Sequence, residues 1–488
     1  MLHITEHIRS LEELHAFLEQ NHTRAPFTKS ILAQVFSGPC DQSWISEVCA
    51  SIRAFYPGAV IIGATTSGEI CKGRALNNTT VVSLSFFSYS AVELCHQTLR
   101  PGDEKLAGEF LQKKILDSPG PVRGLLLFST PRPLNCNELI KSILDRMPDL
   151  PLFGAIASGF EKGMRPLVFC DGLVLDSGIA AVLFTGADLR ISRDAFLGWT
   201  PIGNTMTATK TEGPKVLEID GVPALDIYRK YLGISDHSTF LYDAMEFPLL
   251  YRKGNHLLAT TAVYAHEDGS ITYSVEIAEG EKIQFSYAHI DTITEGMGGM
   301  LDKISRFSPE AIYLYSCFTR RFLLQEDIDI EISEFDDMAP SSGFFTGGEF
   351  CNIGVVNSYL NTTIVMVSVA EGEGRPLTRK QMKQATCGDP IHLRHSRILR
   401  KFSHFLKAVT DDLVNANGEL KKQMEEIREL RQIIPICSGC KKIRDDKGYW
   451  NQLETYLKTH SNIDFTHGIC PECARKLYPQ LYEKDFPE

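Results

Sequence analysis

Three short apolar runs, each closed by a serine, recur along the first three quarters of the chain: Ile31 to Phe36 before Ser37, Leu125 to Phe128 before Ser129, and Ile312 to Tyr315 before Ser316. Continuous apolar runs bounded by small residues are what burial on both faces selects, so each reads as a buried strand. A loop and a helical stretch follow, then a glycine-led segment: GATTSGE from Gly63 to Glu69, GAIASG from Gly154 to Gly159, and GFFTGGE from Gly343 to Glu349. From serine to leading glycine the offsets are 26, 25 and 27 residues, room for a crossover helix and a second, parallel strand. The expectation is an α/β (α+β) fold that uses one strand-helix-strand unit three times. Residues 44–55 fit such a crossover helix, with Trp44, Ile45, Val48, Ile52 and Phe55 at helical spacing. Residues 81–87, 179–184, 271–277 and 363–369 read as strands that extend the sheets.

At 488 residues, 43% hydrophobic and 23% charged, the chain is long and apolar enough for several cores, which excludes bulk disorder. A net charge of -11 argues against a nucleic-acid or anionic-membrane surface, because phosphates would be repelled by the average field. Residues 1–27 read as an amphipathic helix without a signal-type apolar block, and no run approaches the roughly 20 apolar residues of a membrane span. A cytoplasmic protein is expected. Gly and Pro in DGVP, Asp220 to Pro223, divide a domain of residues 28–222 from one of 223–370, and residues 371–390 form a polar linker.

Residues 391–434 change character. Leu399, Leu406, Leu413, Leu420, Ile427 and Ile434 recur every seventh residue, interleaved with Phe402, Val409, Ala416, Gln423 and Leu430. This is a coiled-coil seam of roughly 50 Å, and its natural partner is a second copy, giving a homodimer. Gln423 and Gly418 interrupt it.

The tail, residues 435–488, holds CSGC (Cys437, Cys440) and CPEC (Cys470, Cys473) with 29 residues between. Four thiolates on two turns suit a closed, structural zinc site, and a segment this short needs such a staple. His460 and His467 are substitute ligands. The same thiols could instead cycle as redox disulfides. The other nine cysteines are scattered and read as reduced core thiols.

A second constellation lies in the third unit. Cys317 and Arg320 follow the strand, and Gly348, Glu349 and Asn361 come later, so thiol, guanidinium and carboxylate would converge outside strand ends. Arg320 clamping a carboxylate and Glu349 meeting an ammonium would suit a zwitterion. An Arg–Glu salt bridge with Cys317 as a buried small residue uses the same residues. With the matching turns, the candidate ligand-binding set is Ser67, Gly68, Glu69, Ser158, Gly159, Cys317, Arg320, Gly348, Glu349 and Asn361. No catalytic residue is assigned: GGEF (347–350) spells the diguanylate cyclase tetrapeptide without the cyclase context, and no phosphate loop or nucleophile elbow is present.

Residues from about 28 to 370 resemble the paired FIST N and FIST C domains of prokaryotic sensory proteins. The resemblance is carried by GATTSGEI (63–70), GWTPIG (198–203), DGVPALDIY (220–228), YSCFTR (315–320), GFFTGGE (343–349) and NTT (361–363). It implies a cytoplasmic sensory module that binds small ligands, amino acids or their derivatives among them. Residues 436–450 and 466–473 resemble a short Cys-rich module appended to many bacterial sensory proteins. No kinase, cyclase or methyl-accepting output follows. The reading is a non-enzymatic homodimeric sensor whose coil relays to a tail that engages a downstream signalling protein. The alternative is a redox- or metal-responsive regulator that senses through the C-terminal cysteines.

Overall fold

The computed structural model describes residues 1–23, 27–131, 135–159, 165–234, 239–254, 256–288, 290–353, 356–372, 406, 410–411, 413–427, 435–445, 447–460 and 464–479. The chain divides into two compact units, Met1–Ala408 and Val409–Glu488.

In the first unit each serine-ended run is a strand paired in parallel with the glycine-led strand that follows it. Ser30–Ser37 lies beside Ala59–Thr65, Val122–Ser129 beside Leu152–Ile156, and Ala311–Cys317 beside Ser341–Thr346. The leading glycines sit where these strands come closest. A Cβ would lie 2.3 Å from the Val35 carbonyl oxygen at Gly63, 2.0 Å from that of Leu127 at Gly154, and 1.7 Å from that of Leu314 at Gly343. Only a residue without a side chain fits that approach.

Each first strand has an antiparallel neighbour on its other side: Thr80–Phe87, Gly178–Thr185 and Ile364–Glu371. Outside these lie Leu2–Ile8, Ala91–Thr98 and Leu189–Phe196. Each glycine-led strand is covered by a hairpin that has changed sheets. The hairpin Glu69–Cys71/Arg74–Leu76 joins the third sheet, Val168–Cys170/Leu173–Leu175 joins the first, and Glu349–Ile353/Val356–Leu360 joins the second. The result is three six-stranded sheets with one strand order. Where they face one another Phe36, Phe128, Tyr315 and Phe344 pack with ring centroids 4.9 to 6.1 Å apart, so the interior is a closed aromatic core.

Helices cover the outer faces. Gln42–Phe55, capped by Asp41, buries Ile45, Val48 and Ile52 together with Leu14, Phe17 and Leu18 of Leu11–His22. Glu104–Leu116 packs beside Cys136–Leu144, while Ile290–Phe307 and Ile328–Asp336 cover the third sheet. Between Leu189–Phe196 and Ile290–Phe307 an antiparallel nine-stranded sheet is inserted, with helices Ala224–Leu232 and Phe240–Met245.

Two sequence expectations change. The amphipathic helix expected over residues 1–27 is confined to Leu11–His22, and Leu2–Ile8 is a strand in full register with Thr80–Phe87. An otherwise open sheet edge and the burial of His3, Thr5 and Ile8 override helical propensity there. The strand expected over 271–277 ends at Tyr273, because the Val275 N–H turns to the Thr260 hydroxyl instead of a ladder carbonyl.

In the second unit residues 413–427 are helical, and the seam residues Leu413, Leu420 and Ile427 are exposed. Leu399, Phe402, Val409, Leu430 and Ile434 lie outside the described residues. The tail forms the small hairpin Ile443–Arg444/Trp450–Asn451 and the helices Leu453–His460 and Pro471–Leu477.

Candidate functional site

The turns after the three glycine-led strands meet. The Ser158 hydroxyl accepts from the Ser67 N–H at 2.9 Å and donates to the Phe345 carbonyl at 2.6 Å. The Ser158 N–H reaches the Thr65 carbonyl, Phe345 N–H reaches Gly68, and Ile156 N–H reaches Gly348. Gly68 and Gly348 hold φ of +126° and +152°, and a Cβ at Gly348 would strike the Tyr359 hydroxyl. Ser67, Gly68, Ser158 and Gly348 are thus brought together, with Gly159 at the half-buried end of its turn.

Two of these turns hold a buried carboxyl in the same way. Thr66 Oγ1 donates to Glu69 at 2.5 Å, and the amide and hydroxyl of Thr79 donate to its other oxygen at 3.1 and 2.9 Å. Thr346 Oγ1 donates to Glu349, and Thr363 Oγ1 to its other oxygen at 2.6 Å. Burial outweighs these bonds and raises both pKa values, that of Glu349 to about 8. Glu349 therefore binds its proton more tightly in the native state than in the unfolded chain. Its contribution to stability is complete below about pH 4.5 and is lost as pH rises through about 8. Glu349→Gln, which keeps a neutral hydrogen-bonding group, should gain stability relative to the parent between pH 5 and pH 8.5 in urea titrations, within about that window. A difference that does not vary with pH would remove Glu349 as the titrating group.

Arg320 takes the salt-bridge reading. Its guanidinium makes a two-pronged pair with Glu331 and donates to the Leu197 and Thr362 carbonyls. Both side chains are almost wholly buried, at 1% and 0% exposure. The clamp expected for a ligand carboxylate is therefore already filled by Glu331. Sequence reasoning missed this partner, whose sole sign is a glutamate on the apolar face formed by Ile328, Ile332 and Phe335. Cys317 is fully buried and its thiol is pushed up to about 12 by desolvation, which favours the neutral thiol. Arg321, next to Arg320 in sequence, braces the first turn through the Ser67 carbonyl at 3.1 Å and Asn77.

Asn361 opens onto a wider network. Its side chain accepts from Thr261 Oγ1 at 2.9 Å and donates to the Tyr359 hydroxyl at 3.4 Å, which itself donates to the Gly347 carbonyl. Thr362 holds φ +59°, and its carbonyl accepts from the Trp199 indole at 2.8 Å. The Tyr359 N–H donates to Asn137, a wall residue of a cleft of about 470 Å³. Asn135, Asn137, Glu138, Lys141 and Asp145 line one side and Lys253 and Glu276 of the inserted region the other. The sequence set contained none of these. Their one local sign is Asn135 three residues before Glu138, the pattern of a helix start, and the Asn135 side chain indeed caps the Glu138 N–H.

In the tail the Cys440 N–H, followed by its thiol and the Gly439 N–H, bonds the Cys437 sulfur and lowers its pKa; the Cys473 N–H and thiol do the same for Cys470. Amide donors aimed at sulfur favour the thiolate that a metal requires. Among the described residues the four thiols stand as two pairs, and no three His, Cys, Asp or Glu side chains gather at one metal-sized point. No described helix is long and apolar enough to cross a membrane.

An uncharacterized protein of Methanocaldococcus jannaschii is 22% identical over 310 residues, covering 57% of this chain and 58% of its own length. The chain thus spans less than two thirds of that relative. Cyanuric acid hydrolase from A. caulinodans aligns over 76% of this chain and 99% of its own at 8% identity with a TM-score of 0.29. A second cyanuric acid hydrolase structure aligns over 76% and 100% at 7% identity and 0.28. Scores this low bear on neither fold nor function. Residues 31–222 match the FIST N domain and residues 224–352 the FIST C domain. Those two matches cover the meeting turns, the buried Arg320–Glu331 pair and both walls of the cleft, and they make the chain a member of the FIST family, a protein of sensory, signal-transduction type.

Proposed function

We propose that this protein is a cytoplasmic sensor whose ligand is a small zwitterion, an amino acid or a derivative of one, held between the FIST N and FIST C domains. The observation that carries this reading is the cleft itself. It sets Lys141 and Lys253 beside Glu138 and Glu276, with the Asn135 and Asn137 amides, in a concavity of about 470 Å³. Ammonium groups suit the ligand's carboxylate, carboxylates its ammonium, and the volume is that of an ordinary small-molecule site. The turn residues stand behind the ligand: Asn137 ties the cleft to Tyr359, and Tyr359 to Asn361 and the turn that carries Gly348 and Glu349. Ligand would act by preferring one of two domain arrangements. A ligand at 100 times its Kd adds about 2.7 kcal/mol, so a thermal-shift panel of amino acids and derivatives on the full chain should yield a clear hit. Lys141→Ala and Glu276→Gln should abolish that hit with folding intact; a hit that survives both places the ligand elsewhere.

The exposed Leu413, Leu420 and Ile427 support a homodimeric coil as the relay. The paired knuckles support Cys437, Cys440, Cys470 and Cys473 as ligands of a structural zinc, in a tail that engages a downstream signalling protein. Neither nucleic acid nor membrane enters this scheme. The second reading, redox sensing through the tail, draws on the lowered Cys437 and Cys470 thiols. Zinc and free thiols counted before and after mild oxidation separate the two: one zinc per chain, retained with four protected thiols, supports the structural site, and loss of zinc with disulfide formation supports the switch.

A further inference from the structure

A second cleft of about 850 Å³ lies on the other side of the loop that carries Pro148, a residue common to both clefts. Its composition is unlike the first. Arg123, Arg146 and Arg190 border a surface that includes Met147, Ile191 and Phe307, with Asp149 as its one carboxylate among the described residues. In a chain of net charge -11, three guanidiniums against one carboxylate form a local field of the opposite sign.

The arginines are unequally committed. Arg190 donates to the carbonyls of Gly372 at 2.6 Å and Phe307 at 2.9 Å and stacks 4.6 Å over the Phe307 ring, while its remaining terminal nitrogen is buried with no partner among the described residues. Arg123 donates to the Gly186 and Ala187 carbonyls at the rim. Arg146 is exposed.

We infer that this cleft is a second ligand site, for an amphipathic anion: a carboxylate or similar head group at the arginines with an aliphatic or aromatic body on the apolar wall. The apolar side chains supply area, the exposed Arg146 supplies paired donors for an oxyanion, and Arg123 and Arg190 add their positive charge. This site is independent of the zwitterion cleft and stands if that reading fails.

The probe is decanoate, kept below its micellar concentration and titrated calorimetrically into the full chain, with decyltrimethylammonium as the oppositely charged counterpart. Saturable binding of one decanoate per chain is expected, weakening with salt, and none of the cation. Arg146→Glu, which breaks no internal bond of the described residues, should weaken binding by about tenfold or more, the scale of a lost charge-assisted contact. Arg123→Glu should act likewise if it folds, and Lys105→Glu, a charge reversal on an exposed helix residue away from the cleft, should have no effect. Equal binding of cation and anion, absence of saturable heat, or indifference to Arg146→Glu would overturn the site.

Discussion

Arg320→Ala should lower the stability of the first unit by about 3 to 5 kcal/mol, the cost of leaving a buried charge without its partner. Glu331 would be stranded in the interior, the Leu197 carbonyl would lose its Arg320 donor, and the Thr362 carbonyl would keep the Trp199 indole alone. Removing both charges is a different experiment. Arg320→Met with Glu331→Leu takes away the desolvation penalty along with the attraction, so the double variant should recover most of the loss. Urea unfolding followed by tryptophan fluorescence reads both, since Trp199 bonds to the same Thr362 carbonyl. A single variant within about 1 kcal/mol of the parent would mean that water reaches and screens the pair.

Gly343→Ala should be nearly as damaging. Its Cβ would fall 1.7 Å from the Leu314 carbonyl oxygen, and both partners belong to central parallel strands that cannot separate without disturbing the sheet on either side. Overpacking of this kind costs about 1 to 3 kcal/mol and more where the backbone must move, and backbone contact places Gly343 at the upper end. The same change at Gly58, where an added Cβ meets nothing within 4 Å, should be close to neutral. Comparable unfolding midpoints for the two variants would show that the strands slide apart freely.

These cases show what was legible in the sequence. The serine-ended runs, the leading glycines and the helix over residues 44–55 could be read because burial on two faces and helical periodicity write themselves into consecutive residues. The Arg320 constellation was legible as a group but not as a geometry. Residue types alone do not distinguish Glu331 from Glu349 as its partner, because the choice depends on how the helix Ile328–Asp336 lies against the strand end. The cleft was not legible as a site: beyond the helix-start pattern of Asn135 and Glu138, its walls are polar residues 100 and more positions apart, from Asn135 to Lys253 and Glu276, and they become neighbours only through the insertion of one sheet into the chain of another. The first strand, Leu2–Ile8, was misread for a related reason, since the edge it pairs with lies some 80 residues away.

The exchange of hairpins around the three sheets makes the sequence domain boundary a poor place to cut the molecule. A fragment ending near residue 222 would keep the hairpin Glu69–Cys71/Arg74–Leu76 but lose Ser341–Thr346, against which it pairs, and would leave Leu152–Ile156 without the strand Glu349–Ile353 that covers its edge. Its first sheet alone would be whole. Bare parallel edges of that kind recruit other chains, so an isolated FIST N fragment of this protein should aggregate rather than fold quietly. The ring of exchanges also closes late: the pairing of Gly343 with Ile70 spans most of the first unit, so the last strands to emerge are needed to complete the first. Contacts so remote in sequence slow folding, and until the final hairpin docks the second and third sheets of the nascent molecule stay incomplete.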